Sequence, residues 1–393
     1  MVKKISLPWL QLTYNKFKFV VALAGISFAV LLMFMQLGFR SALFESAARL
    51  HNVLQGDIIL VSPQYISLVS FRPFSERRLY QARKFEEVEY VAPIYLDAAQ
   101  LTNPTNRLKY MILTIGFNPE RCILDLPEVC KNLEEIRQED SLLFDALSRP
   151  EYGIEADKFN PQKPIHLDVG ASGGGPSREV VISDLFKLGP SFSYNGHLVT
   201  SDLNFLRIFG TRSQKGLISL GIIKLKQGAN VEHVLKSMRA TLPHKDVLIL
   251  SKQEFIELEK NHWKNNTPIG FIFGLGAALS FVVGTIIVYQ VLYTDVSDHL
   301  AEYATLKAIG YRDIYLLKIV FQSSIILAIL GYIPGLIISW GLYDLATQAT
   351  KLPIYMNFDR LVFICCSTIF MCCISGALAV NKLRYANPSD IFK

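Results

Sequence analysis

The chain has 393 residues, of which 51% are hydrophobic and only 19% are charged, and its formal net charge is +6. This composition is too apolar for an ordinary soluble protein of that length. It therefore directs attention to segments that could cross a membrane.

The N-terminal segment, residues 1–18, is basic and also contains large apolar side chains. Trp9, Leu10 and Leu12 lie among four lysines, a pattern typical of a segment in the lipid headgroup layer. The apolar run behind it lacks an obvious small-residue cleavage site. We therefore predict a retained amphipathic segment, with a disordered basic tail as the alternative.

Residues 19–39 are the first of several long stretches without a charged side chain. A helix needs about 20 such residues to cross the hydrocarbon core of a bilayer. The other stretches of this kind are residues 268–293, 319–343 and 361–380. The sequence thus predicts an α-helical transmembrane domain of four spans.

Residues 40–267 lie between the first and second spans and predict one large α/β domain. Its β-branched and aliphatic runs, bounded by turn residues, predict strands at 56–62, 89–101, 109–117, 179–186, 218–225 and 247–251. A helix capped by Asn230 follows the fifth strand, and a helix over 75–85 follows the first. These elements predict two β-α-β units, a weak internal duplication split by a long insertion.

Two helical segments flank this domain as predicted stalks. The pattern of span 1 continues outward through residues 40–54, and Ser251 and Glu254 form a capping box that begins a second helix. The second helix points directly into the second span, so it could pass motion rigidly to the domain. Simple tethering explains the same pattern.

The glycine-rich run 170–174 fits the G-x-S-x-G pattern of esterases around Ser172. That pattern requires a helix directly after the serine, whereas here a loop and a strand follow, so we predict a flexible loop. The chain contains no phosphate-binding loop of the Walker A type, so ATP would have to be bound by another subunit. The predicted spans also lack the interior ionisable residues that ion-coupled transporters generally use.

The cysteines fall into two groups. Cys122 and Cys130 lie in the α/β domain, where an oxidising compartment would permit a disulfide; two free or buried thiols are the alternative. Cys365, Cys366, Cys372 and Cys373 lie in the fourth span, too far apart along a helix to share one metal ion. We interpret these four as small packing residues.

Small residues recur at a spacing of about four in the second span. They are Gly270, Gly274, Gly276, Ser280 and Gly284. Such residues let helices approach closely in lipid, so they predict either dimerisation through this span or packing within one chain.

Lys and Arg residues are unevenly distributed among the flanks of the spans. They are concentrated in residues 1–18, the loop 294–318 and the tail 381–393, whereas the loop 344–360 has only Lys351 and Arg360. We therefore predict that both termini and the loop 294–318 are cytoplasmic, in a multi-pass protein of the inner membrane. The domain 40–267 and the loop 344–360 would lie on the opposite side.

The loop after the second span contains a short helical pattern. Asp298 can cap a helix there, and Gly310 can end it in a left-handed turn. Within it, "EYATLKAIG" resembles the signature that follows the second span in the FtsX/MacB superfamily of ABC-transporter permeases. The order of one span, a large domain and three further spans is also similar.

The N-terminal "PWLQLTYNKFKF" and the later "LQGDIILVSP" look most like DevC-type permeases of cyanobacteria, and the resemblance covers essentially the whole chain. His299 stands where relatives commonly have arginine. Like DevC-type proteins, the chain has permease parts without an ATPase domain.

The resemblance implies a non-catalytic subunit of a mechanotransmission exporter. A separate ABC ATPase dimer, which binds the ATP, would dock on a coupling helix whose contact residues are Asp298, Glu302, Leu306, Lys307, Ala308, Ile309 and Gly310. The permease would form a homodimer in membrane lipid and work with a periplasmic adaptor and an outer-membrane TolC-like channel. The cargo would be lipid-like or another envelope substrate, with a glycolipid as one candidate.

No catalytic residue, cofactor, metal or nucleic-acid partner is expected from this resemblance. Two other functions stay open. One is an FtsX-like regulator of envelope hydrolases, which uses the same machinery without cargo. The other is a membrane receptor with an extracytoplasmic ligand domain.

Overall fold

The computed structural model describes residues 7–174, 176–210, 216–243, 245–299 and 313–385, together with 302, 305 and 309–311. The chain divides into two compact units. The helical unit comprises Met1–Ala42, Pro268–Ala349 and Ile354–Lys393, and the α/β unit comprises Leu43–Thr267 and Thr350–Pro353.

The helices in the described residues are α1 (Leu7–Tyr14), α2 (Lys16–Ala47), α3 (Arg49–Val53), α4 (Arg77–Ala82), α5 (Pro127–Lys131), α6 (Leu133–Arg137), α7 (Asp202–Phe209), α8 (Val231–Thr241), α9 (Lys252–Asn265), α10 (Pro268–Asp298), α11 (Asp313–Thr350) and α12 (Phe358–Tyr385). The strands are β1 (Ile58–Val61), β2 (Phe74–Ser75), β3 (Val88–Thr102), β4 (Lys109–Phe117), β5 (Ser141–Asp145), β6 (Ile165–Ala171), β7 (Arg178–Phe186), β8 (His197–Ser201), β9 (Leu217–Ile218), β10 (Leu220–Leu225) and β11 (Leu248–Ser251).

In the part of the chain that the structure describes, four helices are long and apolar enough to cross a membrane: α2, α10, α11 and α12. A large mixed α/β domain lies between the first and second of them, so the predicted fold class is confirmed. The helices extend beyond the uncharged stretches from which the spans were predicted. Charged residues such as Arg40 and Glu45 continue α2, because a polar side chain at a helix end does not interrupt backbone hydrogen bonding.

Small residues bring the helices of the helical unit together. A Cβ added at Gly284 of α10 would come 2.7 Å from the Cβ of Ala29 in α2, and one at Gly276 would come 2.7 Å from the side chain of Gln36. Ser280 is buried, as is Gly270, whereas a Cβ at Gly274 would meet nothing within 4 Å. Packing within one chain therefore accounts for Gly276 and Gly284, and dimerisation through α10 stays a prediction.

Four strands of the α/β unit form a sheet in the order β11, β1, β10, β3, and every neighbouring pair in it is antiparallel. This is the split β-α-β arrangement of ferredoxin-like folds. Both predicted strand-helix-strand units are present, but they interlock: β10 separates the two strands of one unit, and β1 separates the two strands of the other. Both faces of the sheet are covered, so adjacent residues of β1 belong to different apolar cores. Ile58 packs in the core with α4 and α8, whereas Ile59 packs in the core with α3 and α9.

The insertion forms a closed ring of six strands. β3 pairs with β4, and the ring continues through β8, β5, β7 and β6 back to β3. The fifteen-residue β3 therefore belongs to both sheets, with Val91 paired to β10 and Ala99 paired to β6. An apolar core that includes Leu101, Phe144 and Val169 packs in this part of the domain. The sequence pattern did not predict β5, β6 or β8.

The glycine-rich run lies between two antiparallel strands, β6 and β7. Ser172 is in a turn, and its N–H donates to the carbonyl of Ala98 at 3.1 Å. The next regular element is the strand β7, as the loop interpretation predicted, and this geometry differs from that of an esterase nucleophile.

Cys122 and Cys130 are joined by a disulfide, with their Cα atoms 5.2 Å apart. The four cysteines of α12 carry free thiols. Among the described residues, no group of three His, Cys, Asp or Glu side chains could hold a metal ion.

Candidate coupling sites

One candidate site lies in the helical unit, where the start of α2 meets the end of α10. Lys18 of α2 forms an ion pair with Asp298, the last residue of α10. Nearby, the amide of Gln11 in α1 donates to the carboxylate of Glu302 at 3.3 Å. Together with Asp295 and other residues of these helices they line a cavity of about 400 Å³. The N-terminal segment is therefore attached to the segment that contains the predicted coupling helix.

Between residues 300 and 310, the structure describes Glu302, Thr305, Ile309 and Gly310 of the predicted coupling helix. Glu302 and Thr305 are helical, and the N–H of Ile309 donates to the carbonyl of Thr305 at 3.1 Å. Gly310 has a φ of +105°, a conformation that favours glycine. The side chain of Ile309 is 70% exposed, which is unusual for isoleucine.

Other predicted contact residues of that helix, Leu306, Lys307 and Ala308, lie outside the described residues. Asp298 was predicted to cap the helix and is instead seen as the end of α10. His299, which stands where relatives commonly have arginine, turns back onto its own helix. Its Nδ1 lies 3.0 Å from the carbonyl oxygen of Asp295, and its ring packs edge-to-face on Tyr14.

A second candidate site lies in the α/β unit, between α3 and α9. We call it the stalk joint and define it as His51, Tyr65, Leu68, Glu259 and Trp263. α3 directly follows α2, and α9 directly precedes α10, so the joint connects the two stalk helices that the sequence predicted.

The carboxylate of Glu259 is the centre of the stalk joint. It accepts hydrogen bonds from the hydroxyl of Tyr65 at 2.9 Å, the N–H of Leu68 at 3.0 Å and the indole N–H of Trp263 at 2.9 Å. The Nε2 atom of His51 lies 3.1 Å from the Tyr65 hydroxyl and 3.5 Å from the carboxylate. Since Tyr65 gives its hydrogen to Glu259, its oxygen accepts from His51.

The electrostatics of the stalk joint follow from its burial. The side chains of His51 and Glu259 are both inaccessible to solvent. Burial alone would raise the pKa of Glu259, but the hydrogen bond and charge of His51, with the hydrogen bonds from Trp263 and Tyr65, hold it below its ordinary value of 4.5. Burial and the neighbouring carboxylate raise the pKa of Tyr65 well above 10. Glu259 is therefore a charged group fully enclosed by donors.

Further contacts attach the first stalk to the rest of the α/β unit. Glu45, near the end of α2, forms an ion pair of 2.7 Å with Lys260 of α9. Arg49 of α3 donates to the carbonyl oxygens of Leu188 at 3.2 Å and Lys351 at 3.3 Å. The segment between α11 and α12 thus also contacts the first stalk.

The second stalk is not continuous with the helix that follows it. α9 ends at Asn265 and α10 begins at Pro268, with Asn266 and Thr267 between them. Proline has no N–H and favours the first position of a helix, so a new helix starts there. The predicted capping box of Ser251 and Glu254 is present. α2 is uninterrupted from its span to Ala47, and Ala48 separates it from α3, whereas the second stalk is interrupted directly before its span.

Sequence reasoning missed the stalk joint, although a signal was present. Phe255 and Ile256 of α9 are buried. Glu259 follows Phe255 by four residues and Ile256 by three, so it lies on the same face of the helix. A glutamate on the apolar face of an amphipathic helix indicates a buried partner. The partner itself, His51, is distant in the sequence and could not be identified from it.

Comparisons with known proteins agree with the helical part of this architecture. Residues 274–388 match the family model described as FtsX-like permease C-terminal. No curated protein matches the chain.

Two solved structures illustrate the similarities of the chain to known folds. One is the periplasmic region of MacB from Actinobacillus actinomycetemcomitans. The match covers 53% of this chain and 94% of the MacB structure, at 10% sequence identity and a TM-score of 0.34. The other is the extracellular domain of the noncanonic ABC-type transporter YknZ from Gram-positive bacteria. This match covers 49% of this chain and 99% of the YknZ structure, at 13% sequence identity and a TM-score of 0.32. It is the family match over residues 274–388 that confirms the predicted resemblance to FtsX-like permeases: this part of the chain carries an FtsX-like permease C-terminal domain, in a multi-pass membrane protein.

Proposed function

We propose that the chain is the permease subunit of an ABC exporter, and that it passes the ATP-driven motion of a separate ATPase to its α/β unit. The observation that carries this proposal is the stalk joint. A buried carboxylate enclosed by hydrogen-bond donors is costly to separate from its partners, by about 3–5 kcal/mol. α3 and α9 would therefore move as one body.

The uninterrupted helix α2 supports the same proposal. It runs from Lys16 to Ala47, and the ion pair between Lys18 and Asp298 lies near its first residue. A displacement of α10 at that ion pair would be transmitted along α2, since a helix is stiff over this length. At the other end of α2, Glu45 contacts Lys260 of α9, and His51 of α3 contacts Glu259 of α9. The break before Pro268 would let α10 change its direction while α9 stays in the joint.

The ATPase dimer would dock on the segment from Asp298 to Gly310. The exposed side chain of Ile309 and the turn at Gly310 support this assignment, because a docking helix needs an apolar contact at its tip and a sharp end. Leu306, Lys307 and Ala308 would belong to the same surface. ATP would be bound by the ATPase, since the chain has no phosphate-binding loop.

The rest of the assembly follows from the DevC-type resemblance. The permease would be a homodimer with both termini in the cytoplasm, the α/β unit in the periplasm, and a periplasmic adaptor and a TolC-like channel above it. Its cargo would be a lipid-like or other envelope substrate. The α/β unit would act on this cargo outside the membrane.

Copurification tests this proposal. The tagged chain is solubilised from its own membranes, and the proteins that accompany it are identified. We expect an ABC ATPase, an adaptor and an outer-membrane channel. An ATPase with an envelope hydrolase would favour the regulator, and recovery without any ATPase would contradict the proposal. The purified chain alone should show no saturable ATP binding, whereas its complex with the ATPase should hydrolyse ATP.

A further inference from the structure

Arg49 has contacts that the stalk joint does not explain. It is the first residue of α3, and its guanidinium donates to two backbone carbonyls, that of Leu188 at 3.2 Å and that of Lys351 at 3.3 Å. Leu188 follows β7, whereas Lys351 directly follows α11, and all three residues belong to the α/β unit. One side chain therefore joins three segments that are distant in the sequence.

A guanidinium suits this position. Its planar fork carries donors on separate nitrogens, so it can bind two carbonyls at once, whereas a lysine ammonium is a single point charge. Gly189 leaves room for it: a Cβ at that residue would clash with a terminal nitrogen of Arg49, and the φ of +88° also favours glycine. The chain after β7 is thus shaped around the side chain of Arg49.

The peptide between Leu188 and Gly189 is held from two sides. Arg49 donates to its carbonyl, and the carboxylate of Asp145 accepts its N–H at 2.8 Å, together with the N–H of Leu188 at 3.1 Å. Burial lowers the pKa of Arg49, and the negative charge of Asp145 opposes that effect. The two charges therefore attract each other across the peptide.

Asp145 connects this peptide to the six-stranded ring. It is the last residue of β5, and its carboxylate lies 3.2 Å from the Nδ1 atom of His197, the first residue of β8. Both side chains are buried, and β5 and β8 are neighbours in the ring. A buried carboxylate is costly to separate from its partners. A displacement of the peptide would therefore reach β5 and β8 instead of being absorbed by the chain between β7 and β8.

Lys351 lies in a defined turn. It has a φ of +57°, which is uncommon for a residue with a side chain and persists where the surroundings fix it. The next residue, Leu352, is buried, and its N–H donates to the hydroxyl of Thr350 at 3.3 Å. The turn begins the short connection between α11 and α12. Its carbonyl groups should therefore follow the end of α11.

We propose that Arg49 is a positioning residue that passes displacements of the turn at Lys351 to the six-stranded ring, through the peptide after Leu188 and through Asp145. The ring would thus follow α11 and α12, while the stalk joint links α3 to α9. This inference deepens the proposed function and rests on it for the source of the displacement.

Hydrogen exchange of the purified chain in lipid nanodiscs tests the connection without an ATPase. Mass spectrometry follows the amides of Leu188 and Gly189, which donate to Asp145. Lys351→Gly keeps the carbonyl but frees the turn, and Arg49→Met removes both donors. Each variant should raise the exchange rate of these amides about tenfold. The double variant should exceed Arg49→Met by less than about twofold, because the turn then has no route to the peptide.

Arg107→Gly is the matched control, because Arg107 also has a positive φ, of +60°, and lies in the turn between β3 and β4. Its effect on these amides should be small and should add to that of Arg49→Met. If Arg49→Met fails to fold, Arg49→Gln, whose shorter side chain cannot bridge the two carbonyls, takes its place. Wild-type exchange in Lys351→Gly, or additive effects of Lys351→Gly and the Arg49 variant, would overturn the proposal.

Movement of the ring tests the role of this connection in coupling. After the four free cysteines are replaced by serine, spin labels at Lys109→Cys, an exposed site on β4, report the ring, and labels at Gln227→Cys report the sheet that contains β1. In the complex with the ATPase, we expect Arg49→Met to reduce the nucleotide-dependent distance change at residue 109 about twofold or more and to leave that at residue 227 unchanged. An unreduced change at residue 109, or equal reductions at both sites, would overturn the proposal.

The two experiments separate this inference from the proposed function. Non-additive exchange in a chain that recovers no ATPase would keep the connection through Arg49 and lose the exporter. Additive exchange in a chain that recovers the ATPase and exports would keep the exporter and lose the connection.

Discussion

The hydroxyl of Tyr65 donates a 2.9 Å hydrogen bond to the buried carboxylate of Glu259, and so connects the segment after β1 to the helix that precedes the second span. His51 completes this contact from the helix that follows the first span. Two stalks that are far apart in the sequence are thus held by one group of polar side chains inside an apolar core. The predicted effects of this contact can be measured with variants that carry one substitution.

Replacing the carboxylate should weaken the α/β unit. Glu259→Gln loses the charge that Tyr65, Trp263 and Leu68 contact, and hydrogen bonds to a charged group contribute about 1.5–3 kcal/mol. We expect the free energy of unfolding to fall by about 2–3 kcal/mol, as measured by denaturant titration of the purified chain with tryptophan emission. Glu257→Gln on the exposed face of α9 is the matched control and should change it by less than about 0.5 kcal/mol. Equal effects of the two variants would contradict this role of Glu259.

The stability of the stalk joint should depend on pH in a defined direction. The folded chain holds the pKa of Glu259 below its ordinary value of 4.5, so the unfolded chain binds the proton more readily. The stabilisation is therefore fully present above about pH 4.5 and is lost as the pH falls through the lower pKa of the folded state. Comparing the pH dependence of the free energy of unfolding between the wild type and Glu259→Gln isolates the contribution of this carboxylate. A difference between them that stays constant down to pH 3 would contradict the assignment.

Reporter fusions test the proposed orientation of the chain. The uneven distribution of Lys and Arg predicts that a reporter fused after Gly174 is outside the cytoplasm and that reporters after Lys307 or Lys393 are inside. Paired reporters, one active in each compartment, provide the control at each position. Activity of an outside reporter at Lys307 would overturn the whole assignment.

The turn at Gly310 should be important for docking of the ATPase. A Cβ at this position would meet nothing within 4 Å, so the effect of Gly310→Val would come from its φ of +105° and not from a clash. A β-branched residue in such a conformation costs about 1–2 kcal/mol. We expect Gly310→Val, and the charge reversal Glu302→Lys, to leave membrane insertion intact but to reduce recovery of the ATPase or to uncouple its hydrolysis from export.

Gly341→Val is the matched control for that experiment. A Cβ at Gly341 also meets nothing within 4 Å, but the residue is within α11 and does not have a positive φ. It should therefore recover the ATPase and export at the wild-type level. Normal recovery and export in both Gly310→Val and Glu302→Lys would contradict the coupling-helix assignment.

The sequence predicts those parts of the fold whose signals are local. Uncharged stretches indicated the four long helices. Segments such as 56–62 and 109–117 indicated strands because each contains a run of β-branched or aliphatic residues bounded by turn residues. β8 was missed, since its short sequence contains His197 and Thr200, both of which are buried with polar partners. Partners of this kind come from distant segments, as Asp145 does for His197, so the strand pattern alone does not reveal them.

Strand order and the stalk joint depend on contacts between distant residues. The sequence indicated two β-α-β units, but it did not reveal that β1 lies between β10 and β11. The sequence also indicated both stalks, but it did not reveal the buried pair of His51 and Glu259. In both cases local periodicity determines which face of an element is buried, whereas the identity of the element that covers it depends on the whole chain.

Movement of the α/β unit in response to ATP tests the central claim most directly. A spin label is attached at Gln227→Cys, an exposed site of this unit, after the four free cysteines are replaced by serine, and the distance between the labels of two copies is measured in the complex with the ATPase. The account predicts that this distance changes when a non-hydrolysable ATP analogue is added, and that Glu259→Gln reduces the change without preventing ATPase binding. An unchanged distance in the wild-type complex, while the same preparation hydrolyses ATP, would contradict it.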